Sequence, residues 1–336
     1  MPAALQALED RPPLVSVIVA ARNAAPTLGA CLASIARLDY PHVEVLVADD
    51  GSTDETAAIA RRAGARVVDA AGAGPAAARN LAVAASAGRV IAFTDADCEV
   101  PPDWLSVLVA ALDRPGIAAA GGSQIQVFGG GSDARAGAAI EAFFRLAALF
   151  FDYPREGGSP RAVAHVASCN SVYRREAFLE VGGFTPGLFP GEDVDLDYRL
   201  RQRGYRAWFV PSVRVRHHRP GGWAGFMRMM RRYGRGQGVL VRLHGPFRLA
   251  HAVPPVLVLA LVVQAGLFAP WSRPAVLVLD ALAAAAMAAV LAAAVPVSRW
   301  PGAVAAGAVA LAQWTAGYVE GLASAPPECP AGAPTR

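Results

Sequence analysis

The sequence predicts an α/β protein whose mostly parallel sheet is flanked by helices and followed by C-terminal transmembrane helices. Short aliphatic runs alternate with segments of helical periodicity up to about residue 220, which is typical of a parallel sheet with helices on both faces. Aspartates directly follow two of the predicted strands, at the edge where such sheets bind ligands. Charged residues, 17% of the chain, become rare after Arg248, so we expect the C-terminal region to lie in a different solvent.

The first strands and helices alternate regularly. Leu14–Ala20 and Val43–Ala48 are short apolar runs of the kind that form strands buried on both faces. Pro26–Leu38, which lies between them, carries apolar residues at helical spacing. Ser52 or Thr53 is predicted to cap the next helix. The same reasoning predicts helices at Asp54–Ala63 and Pro75–Ala87 and strands at Arg66–Asp69 and Val90–Thr94.

The following part of the chain is less regular. The segment from Glu192 to Arg203 is predicted to be helical. It places Asp195–Arg199 and Asp197–Arg201 four residues apart, so we assign these side chains to ion pairs on an exposed helix face. The other predicted elements are the strands Ile117–Val127, Asn170–Arg174, Ala207–Pro211 and Val213–His217 and the helices Ile140–Phe151 and Arg175–Val181.

The C-terminal region predicts a membrane anchor. A helix needs ~20 apolar residues to cross the hydrocarbon core, and three segments approach this length, although Asp280 and Glu320 interrupt two of them. They are Ala252–Ala269, Ala275–Val297 and Ala303–Ala323. We expect two or three spans, and an Ala-rich helical subdomain buried in protein is the alternative. The predicted organisation is a tail over residues 1–13, an α/β domain over 14–220, a basic amphipathic segment over 221–250, transmembrane helices within 251–325 and a tail over 326–336.

The basic residues between Arg199 and Arg248 indicate the class of partner. An anionic membrane surface is favoured over nucleic acid, because apolar segments follow directly. Within this stretch, Trp223–Arg235 places aromatic residues and methionines among arginines, as in a helix that lies on a membrane. The positive charge places the α/β domain on the cytoplasmic side of the cell membrane. Residues 1–13 lack the pattern of a secretory signal, so no cleaved leader is expected.

The cysteines are scattered along the chain. No CxxC pair occurs, so the sequence predicts reduced thiols and neither a zinc site nor a disulfide framework. The four cysteines are Cys31, Cys98, Cys169 and Cys329.

Asp95-Ala96-Asp97 is the sharpest candidate for a functional site. Residues two apart in an extended segment point the same way, so both carboxylates can face one ligand. Carboxylate oxygens suit Mg²⁺ or Mn²⁺, and such a cation can bridge a diphosphate. An isolated triplet of this kind more often belongs to a turn or a helix cap. Its position at a strand end, in a pattern with Asp49-Asp50 at another strand end, favours the functional interpretation.

Three other pairs each leave two interpretations open. Asp49-Asp50 can form a strand-to-helix turn or accept hydrogen bonds from a base or a ribose. Glu192-Asp193 can complement a helix dipole or supply a general base beside a donor sugar. His217-His218 can be structural or can supply a metal ligand through one imidazole.

Taken together and in this order, these segments resemble the family 2 glycosyltransferases of the GT-A fold, a Rossmann-like α/β fold. The resemblance covers roughly Leu14 to Arg248. It rests on the stretches VSVIVAARN, VLVADDGSTDET, GPAAARNLAVAASAGRVIAFTDADCEVPPDWL, CNSVYRREAFLEVGGF and GEDVDLDYRLRQRGY.

The resemblance implies which residues bind the donor, a nucleoside diphosphate sugar. Arg79 matches a position near the phosphates, and Asp49 is a weaker candidate than Asp50 for the nucleoside. The implied contacts to the base and ribose are Ala20, Arg22, Asn23 and Asp50, with Asp95 near the ribose.

The resemblance also implies a metal site and a base. Asp97 is the more direct ligand of Mg²⁺ or Mn²⁺, with Asp95 beside it. His217 matches a C-terminal metal histidine, although His218 leaves the choice open. Asp193 matches the catalytic base, with Glu192 beside it. Asp193 would deprotonate an acceptor hydroxyl that attacks the anomeric carbon with inversion, while the cation stabilises the departing diphosphate.

The processive polysaccharide synthases of this family carry a Q/RxxRW signature that is absent here, where the local sequence is MRRYGRGQG. Single-sugar transfer is therefore favoured, to a lipid-linked or cell-envelope glycan at the membrane. One alternative is a sugar nucleotidyltransferase, but the first loop, AARNAAPTL, lacks the Gly-rich phosphate loop of that class. Another is a non-catalytic, membrane-anchored module that binds nucleotide sugars.

Overall fold

The structure, a computed structural model, describes residues 12–128, 137–141, 158–219, 222–248, 251, 256 and 300–330. These residues belong to two compact units. One consists of the described parts of Met1–Val127, Pro154–Arg219 and Pro327–Arg336, and the other of the described parts of Phe128–Tyr153 and Pro220–Pro326.

Strands and helices alternate at the start of the first unit, as predicted. The elements are β1 (Val15–Ala21), α1 (Ala25–Ile35), β2 (Val43–Asp49), α2 (Thr56–Arg62), β3 (Arg66–Asp69), α3 (Pro75–Ala84) and β4 (Val90–Asp95). Each lies within a few residues of its prediction, because aliphatic runs and helical spacing define these segments locally.

The later elements include three that the sequence did not predict, namely β5, α4 and β7. The elements are β5 (Cys98–Glu99), α4 (Trp104–Leu112), β6 (Ile117–Phe128), β7 (Arg161–Val163), a 3₁₀ turn at Ser168–Asn170, β8 (Ser171–Arg174), α5 (Arg175–Glu180), α6 (Glu192–Gln202) and β9 (Arg206–Arg219). The two strands predicted on either side of Ser212 are one strand, β9. Pro211 lies between the part of β9 that pairs with β7 and the part that pairs with β5, where its missing N–H interrupts neither ladder.

The sheet has nine strands in the described residues, in the order β3-β2-β1-β4-β8-β6-β9-β5, with β7 also paired to β9. The predicted parallel arrangement is present where helices α1, α2 and α3 connect the strands, and β1 pairs in parallel with both β2 and β4. The pairs β4–β8, β6–β8, β5–β9 and β7–β9 are antiparallel. Asp95 therefore ends β4, the strand at which the parallel half and the antiparallel half of the sheet meet.

Both faces of the sheet are covered. Val17 and Val19 of β1 pack in one buried cluster with Leu28 of α1, whereas Ile18, which points to the other face, packs with Ala78 and Ala82 of α3. Each fully buried aliphatic side chain of this kind contributes about 1.5–3 kcal/mol. The sheet is thus a rigid support for the loops at its edge.

The charged residues of α6 correct one prediction. Asp195, Asp197 and Arg199 were assigned to an exposed face, but they are buried, with at most 2% of their surface exposed. The Asp195–Arg199 pair exists, with an N–O distance of 2.7 Å. Asp197 does not pair with Arg201 in this way, and instead accepts a hydrogen bond from the Val166 N–H. The i,i+4 spacing is the same on a buried face as on an exposed one, so the pattern alone did not distinguish them.

The second unit contains two long helices, α7 (Trp223–His244) and α8 (Trp300–Ala323). Their backbones touch at glycines. A methyl group on Gly234 would lie 1.9 Å from the Trp314 carbonyl oxygen, and one on Gly321 would lie 2.1 Å from the Arg235 carbonyl oxygen. The predicted interfacial segment Trp223–Arg235 lies within α7 and is helical. Of its apolar side chains, Phe226 and Met230 are buried in this unit rather than directed outward.

None of the helices within the described residues is both long enough and sufficiently apolar to cross a membrane. The predicted span Ala303–Ala323 lies within α8. The predicted spans Ala252–Ala269 and Ala275–Val297 lie outside the described residues, apart from Val256, and so does all of the predicted helix Ile140–Phe151 after residue 141.

Candidate functional site

The register of the parallel strands brings the predicted donor residues to one edge. Ala20 of β1 pairs with Ala48 of β2 and with Asp95 of β4, and the next residue pairs with Asp49. Since parallel strands end at the same edge of the sheet, the aspartates that follow β2 and β4 lie on either side of the loop after β1. This part of the predicted site is assembled as the strand order implied.

Asn23 joins the two loops that follow β1 and β2. It lies in the left-handed region with φ +49°, its backbone N–H donates to Ser52 Oγ at 2.9 Å, and its Oδ1 accepts the Thr53 N–H at 2.8 Å. Neither Ser52 nor Thr53 caps α2, contrary to the prediction, because the residue before that helix is Glu55. Ser52, through its hydroxyl, and Thr53, through its backbone N–H, instead bind Asn23 in the loop after β1.

Asp49 and Asp50 have different partners. Asp49 Oδ1 accepts the Ser52 N–H at 3.0 Å, which is the turn interpretation of this residue. Asp50 Oδ1 accepts the N–H of Gly74, the residue before α3, at 2.8 Å. Asp50 Oδ2 lies 3.8 Å from Nη1 of Arg22, whose side chain is exposed. Asp50 therefore ties the start of α3 to the loop that would hold a nucleoside.

The strand pair β5–β9 completes a candidate cation site. Cys98 of β5 is directly opposite His217 of β9, and His217 Nε2 lies 3.2 Å from Asp97 Oδ1. One ligand atom from each of Asp95, Asp97, Cys98 and His217 lies within 4.8 Å of the others. Two carboxylates and an imidazole form a donor set that fits Mg²⁺ or Mn²⁺.

His218 has a different partner from His217. Its side-chain Nε2 contacts Glu99 Oε1 at 2.5 Å, and its backbone N–H donates to the Asp97 carbonyl at 2.8 Å. Successive residues of a strand point to opposite faces, so only one histidine of the pair can face Asp97. The sequence left open which of the two histidines lies near the aspartates. The structure brings His217, and not His218, to them.

Arg79 of α3 connects two groups of carboxylates. Its Nη2 donates to Asp95 Oδ1 and its Nη1 to Glu192 Oε1, both at 2.8 Å, and its guanidinium lies over the ring of Phe184. The side chain is only 3% exposed. Burial alone would lower the pKa of Arg79, but Asp95 and Glu192 raise it above its ordinary value. The cation is therefore permanently charged and holds both carboxylates.

Glu192 and Asp193, at the start of α6, differ in exposure. Glu192 is buried against Arg79, and burial together with the Asp193 carboxylate raises its pKa to about 7, although Arg79 acts in the opposite direction. Asp193 has 18% of its side chain exposed. Its Oδ2 accepts the Ser168 N–H at 3.1 Å and its Oδ1 accepts the Val194 N–H at 2.8 Å. Of the two, Asp193 is the one that a second substrate can reach.

His165, which the sequence analysis missed, lies between two aspartates of α6. Its Nδ1 is 3.2 Å from Asp197 Oδ2 and its Nε2 is 3.9 Å from Asp193 Oδ2. The Tyr173 hydroxyl also donates to Asp197, at 3.1 Å. Burial raises the pKa of Asp197, and the hydrogen bond from His165 opposes this shift. A single histidine in the stretch AVAHVASCN gave no signal, because its neighbours come from α6, later in the chain.

Comparison with known proteins assigns this arrangement to a family. Residues 16–182 match the model described as glycosyl transferase family 2. The chain is 30% identical over 233 residues to Glycosyltransferase AglE of Haloferax volcanii, an alignment that covers 67% of this chain and 73% of that protein. It is 32% identical over 146 residues to the pre-mycofactocin glycosyltransferase of Mycobacterium tuberculosis, which covers 43% of this chain and 30% of that protein.

A solved structure has a similar fold. The mannosyltransferase PcManGT from Pyrobaculum calidifontis, in complex with GDP-Man and Mn²⁺, superposes with a TM-score of 0.67. The match covers 93% of this chain and 88% of that one at 24% sequence identity. At that identity the likeness concerns the fold.

Proposed function

This chain belongs to the family 2 glycosyltransferases and has their α/β GT-A fold, and from that premise we propose that it transfers a hexosyl group from a nucleoside diphosphate sugar to an acceptor hydroxyl with inversion. The observation that carries the proposal is the bridge formed by Arg79 between Asp95 and Glu192. This bridge links the carboxylates suited to a diphosphate-bound cation with the helix that presents Asp193.

The donor is proposed to bind at the edge formed by β1, β2 and β4. Ala20, near the end of β1, would line the base and ribose together with Asn23 and Asp50, whose loops are held by hydrogen bonds. Asp95, Asp97 and His217 would hold Mg²⁺ or Mn²⁺, which supplies positive charge to the diphosphate leaving group. Arg79 donates to one oxygen of Asp95, Oδ1, and the carboxylate would contact the donor through its other oxygen.

Asp193 is proposed to accept the proton of the acceptor hydroxyl. Two backbone N–H groups orient its carboxylate, and its partial exposure leaves it accessible. As the hydroxyl oxygen attacks the anomeric carbon, its proton passes to Asp193 and the nucleoside diphosphate leaves from the opposite face. General-base assistance of this kind contributes about 10²–10⁴-fold to the rate. Glu192, which is engaged with Arg79, is proposed to position that guanidinium rather than to act as the base.

The acceptor is proposed to be a lipid-linked or cell-envelope glycan at the cytoplasmic face of the cell membrane. Support comes from the exposed arginines of α7, since a row of cations favours an anionic lipid surface. They are Arg228, Arg232, Arg235 and Arg242, together with Arg231, which also pairs with Glu320.

Nucleotide release from a panel of UDP-, GDP- and dTDP-sugars tests the donor half of the proposal. We expect release from one donor with Mn²⁺ or Mg²⁺, loss of release with EDTA, and loss in Asp97→Ala. Asp69→Ala is the matched control, because Asp69 also ends a strand of this sheet, but its exposed carboxylate accepts, among the described residues, only the N–H of Ala71 in its own turn. Release that needs no metal and survives Asp97→Ala would refute the proposed cation site.

A non-catalytic, membrane-anchored module that binds nucleotide sugars is the second candidate. The same experiment separates the two functions when donor binding is measured by calorimetry alongside release. Saturable, metal-dependent binding of one donor, with no release in the presence of membrane lipid extract as acceptor source, would favour the binding module.

A further inference from the structure

A pair of thiols, Cys98 and Cys169, adjoins the proposed cation site. Cys98 is opposite His217 in the β5–β9 pair, and Cys169 lies in the 3₁₀ turn Ser168–Asn170. The two sulfur atoms and one imidazole nitrogen of His217 all lie within 4.8 Å of one another. All three residues are buried, with at most 5% of their surface exposed.

This cluster offers a different chemistry from the carboxylates. Thiolates are soft ligands that select zinc and similar cations, whereas carboxylates suit Mg²⁺ and Mn²⁺. Two sulfurs and an imidazole are three of the four ligands of a common tetrahedral zinc centre, in which Zn–S distances are about 2.3 Å and Zn–N distances about 2.0–2.1 Å. Because the three atoms already lie within 4.8 Å of one another, small side-chain movements would bring them around one cation.

Asp97 can complete the soft site and give access to it. Its Oδ1 lies 3.9 Å from Cys98 Sγ and 3.2 Å from His217 Nε2. Its side chain is 33% exposed, so a cation can approach from the donor side. His217 and Asp97 therefore belong to two overlapping ligand sets, one hard and one soft, which cannot both be filled.

We propose that Cys98, Cys169 and His217 form a second cation site that binds a soft divalent ion such as Zn²⁺ or Cd²⁺ and thereby inhibits the enzyme by withdrawing His217 from the Mg²⁺ or Mn²⁺ site. The thiols lose their protons as the cation binds, and no oxidation is involved. The binding part stands on the cluster itself, and only the inhibition part rests on the proposed function. The scattered cysteines predicted no zinc site, because Cys98 meets His217 through strand pairing and Cys169 approaches them from a 3₁₀ turn far along the chain.

Titration of the reduced full-length protein with Cd²⁺ under anaerobic conditions tests the binding part. The readout is the ultraviolet charge-transfer absorption of cadmium–thiolate bonds, and we expect saturation at one equivalent. Cys169→Ala should weaken binding at least ~10–100-fold, and Cys169→Ser, which keeps the size of the side chain, should do the same. Cys31→Ala is the matched control. Cys31 is also buried, but its thiol donates to the backbone carbonyl of Asp95. Cys31 does not belong to the cluster of Cys98, Cys169 and His217.

Either of two results would overturn the binding part: no charge-transfer band in the wild-type protein, or a band of equal affinity in both Cys169 variants. For the inhibition part, micromolar Zn²⁺ should suppress Mn²⁺-dependent nucleotide release in wild type and in Cys31→Ala, and suppress it at least ~10-fold less effectively in Cys169→Ser. Equal inhibition of wild type and Cys169→Ser would refute it. Absence of nucleotide release from every form would count against the proposed function, and the Cd²⁺ titration would still decide the site.

Discussion

The cation side of the site, formed by Asp95, Asp97 and His217, is built differently from the side that carries Asp193. The aspartates of the cation side extend from the end of a buried parallel strand, and about a third of each side chain is exposed. The other side begins at α6. There Glu192 is buried against Arg79, and Asp197 is buried against His165.

The two sides differ in what fixes the position and the charge of a carboxylate. At a strand end, the sheet sets the position of the carboxylate, and part of the side chain stays open to solvent. At the start of α6, burial disfavours the charged form, so neighbouring donors and cations must hold it. We therefore expect changes on the cation side to alter metal and donor binding, and changes on the α6 side to alter turnover or stability.

Asp193→Asn is expected to have the largest effect. It should lower kcat by ~10²–10⁴-fold, because an amide cannot accept the proton of the acceptor hydroxyl. The Kd for the donor and the metal requirement should be unchanged, since Asp97 and His217 are untouched. Steady-state nucleotide release with acceptor and calorimetry with donor alone measure the two quantities.

Glu176→Gln is the matched control for Asp193→Asn, because Glu176 is an exposed acid in the first turn of the neighbouring helix α5. It should leave both quantities unchanged. If Asp193→Asn lowers donor affinity as much as turnover, the two sides of the site are not separable and the base assignment is wrong.

The same difference explains what the sequence predicted well. Strands β1 to β4 and their helices followed from local periodicity, and the strand-end position of Asp95 and Asp97 followed from them. The buried charges of α6 did not, because Asp195 and Arg199 have the same spacing on either face of a helix. The partners of His165 and the choice of His217 over His218 depend on pairings between segments far apart in the chain, which one sequence does not encode locally.

Arg79→Met removes the residue that joins the two sides. It leaves Glu192 buried without its cation, and breaking a buried ion pair in this way costs about 3–5 kcal/mol in the free energy of unfolding. The pKa of Glu192, already raised to about 7, should rise further without Arg79. Folded Glu192 then keeps a proton that the unfolded chain loses, so stability falls as pH rises from about 4.5 through 7, more steeply in the variant.

Urea unfolding at several pH values between about 5 and 8 measures this effect. Arg22→Met is the control, because that guanidinium is exposed and lies 3.8 Å from Asp50. It should change stability by no more than about 0.5 kcal/mol. A stability–pH curve for Arg79→Met that is parallel to that of the wild type would show that Glu192 does not depend on this cation.

His165→Gln should have a smaller effect, confined to the α6 side. Glutamine can still donate to Asp197 but does not place an imidazole near Asp193, so kcat should fall about tenfold, equivalent to about 1.4 kcal/mol. The donor KM should stay the same, because the residues proposed to bind the donor are unchanged. Tyr173→Phe is the comparison, because it removes the hydrogen bond from the Tyr173 hydroxyl to Asp197 and leaves His165 in place beside Asp193. If it lowers kcat equally, His165 acts only through Asp197.

The smallest effect is expected for His218→Gln, on the cation side. His218 is paired with Glu99 and a third of its side chain is exposed, so the apparent affinity for Mn²⁺ should change by no more than about 0.5 kcal/mol, or roughly twofold. His217→Gln should lower that affinity by at least ~10–100-fold, because it removes a ligand. Mn²⁺ titrations of donor binding by the two variants compare them directly. A large loss in His218→Gln with little change in His217→Gln would reverse the assignment and require a different pairing of β5 with β9 once the cation is bound.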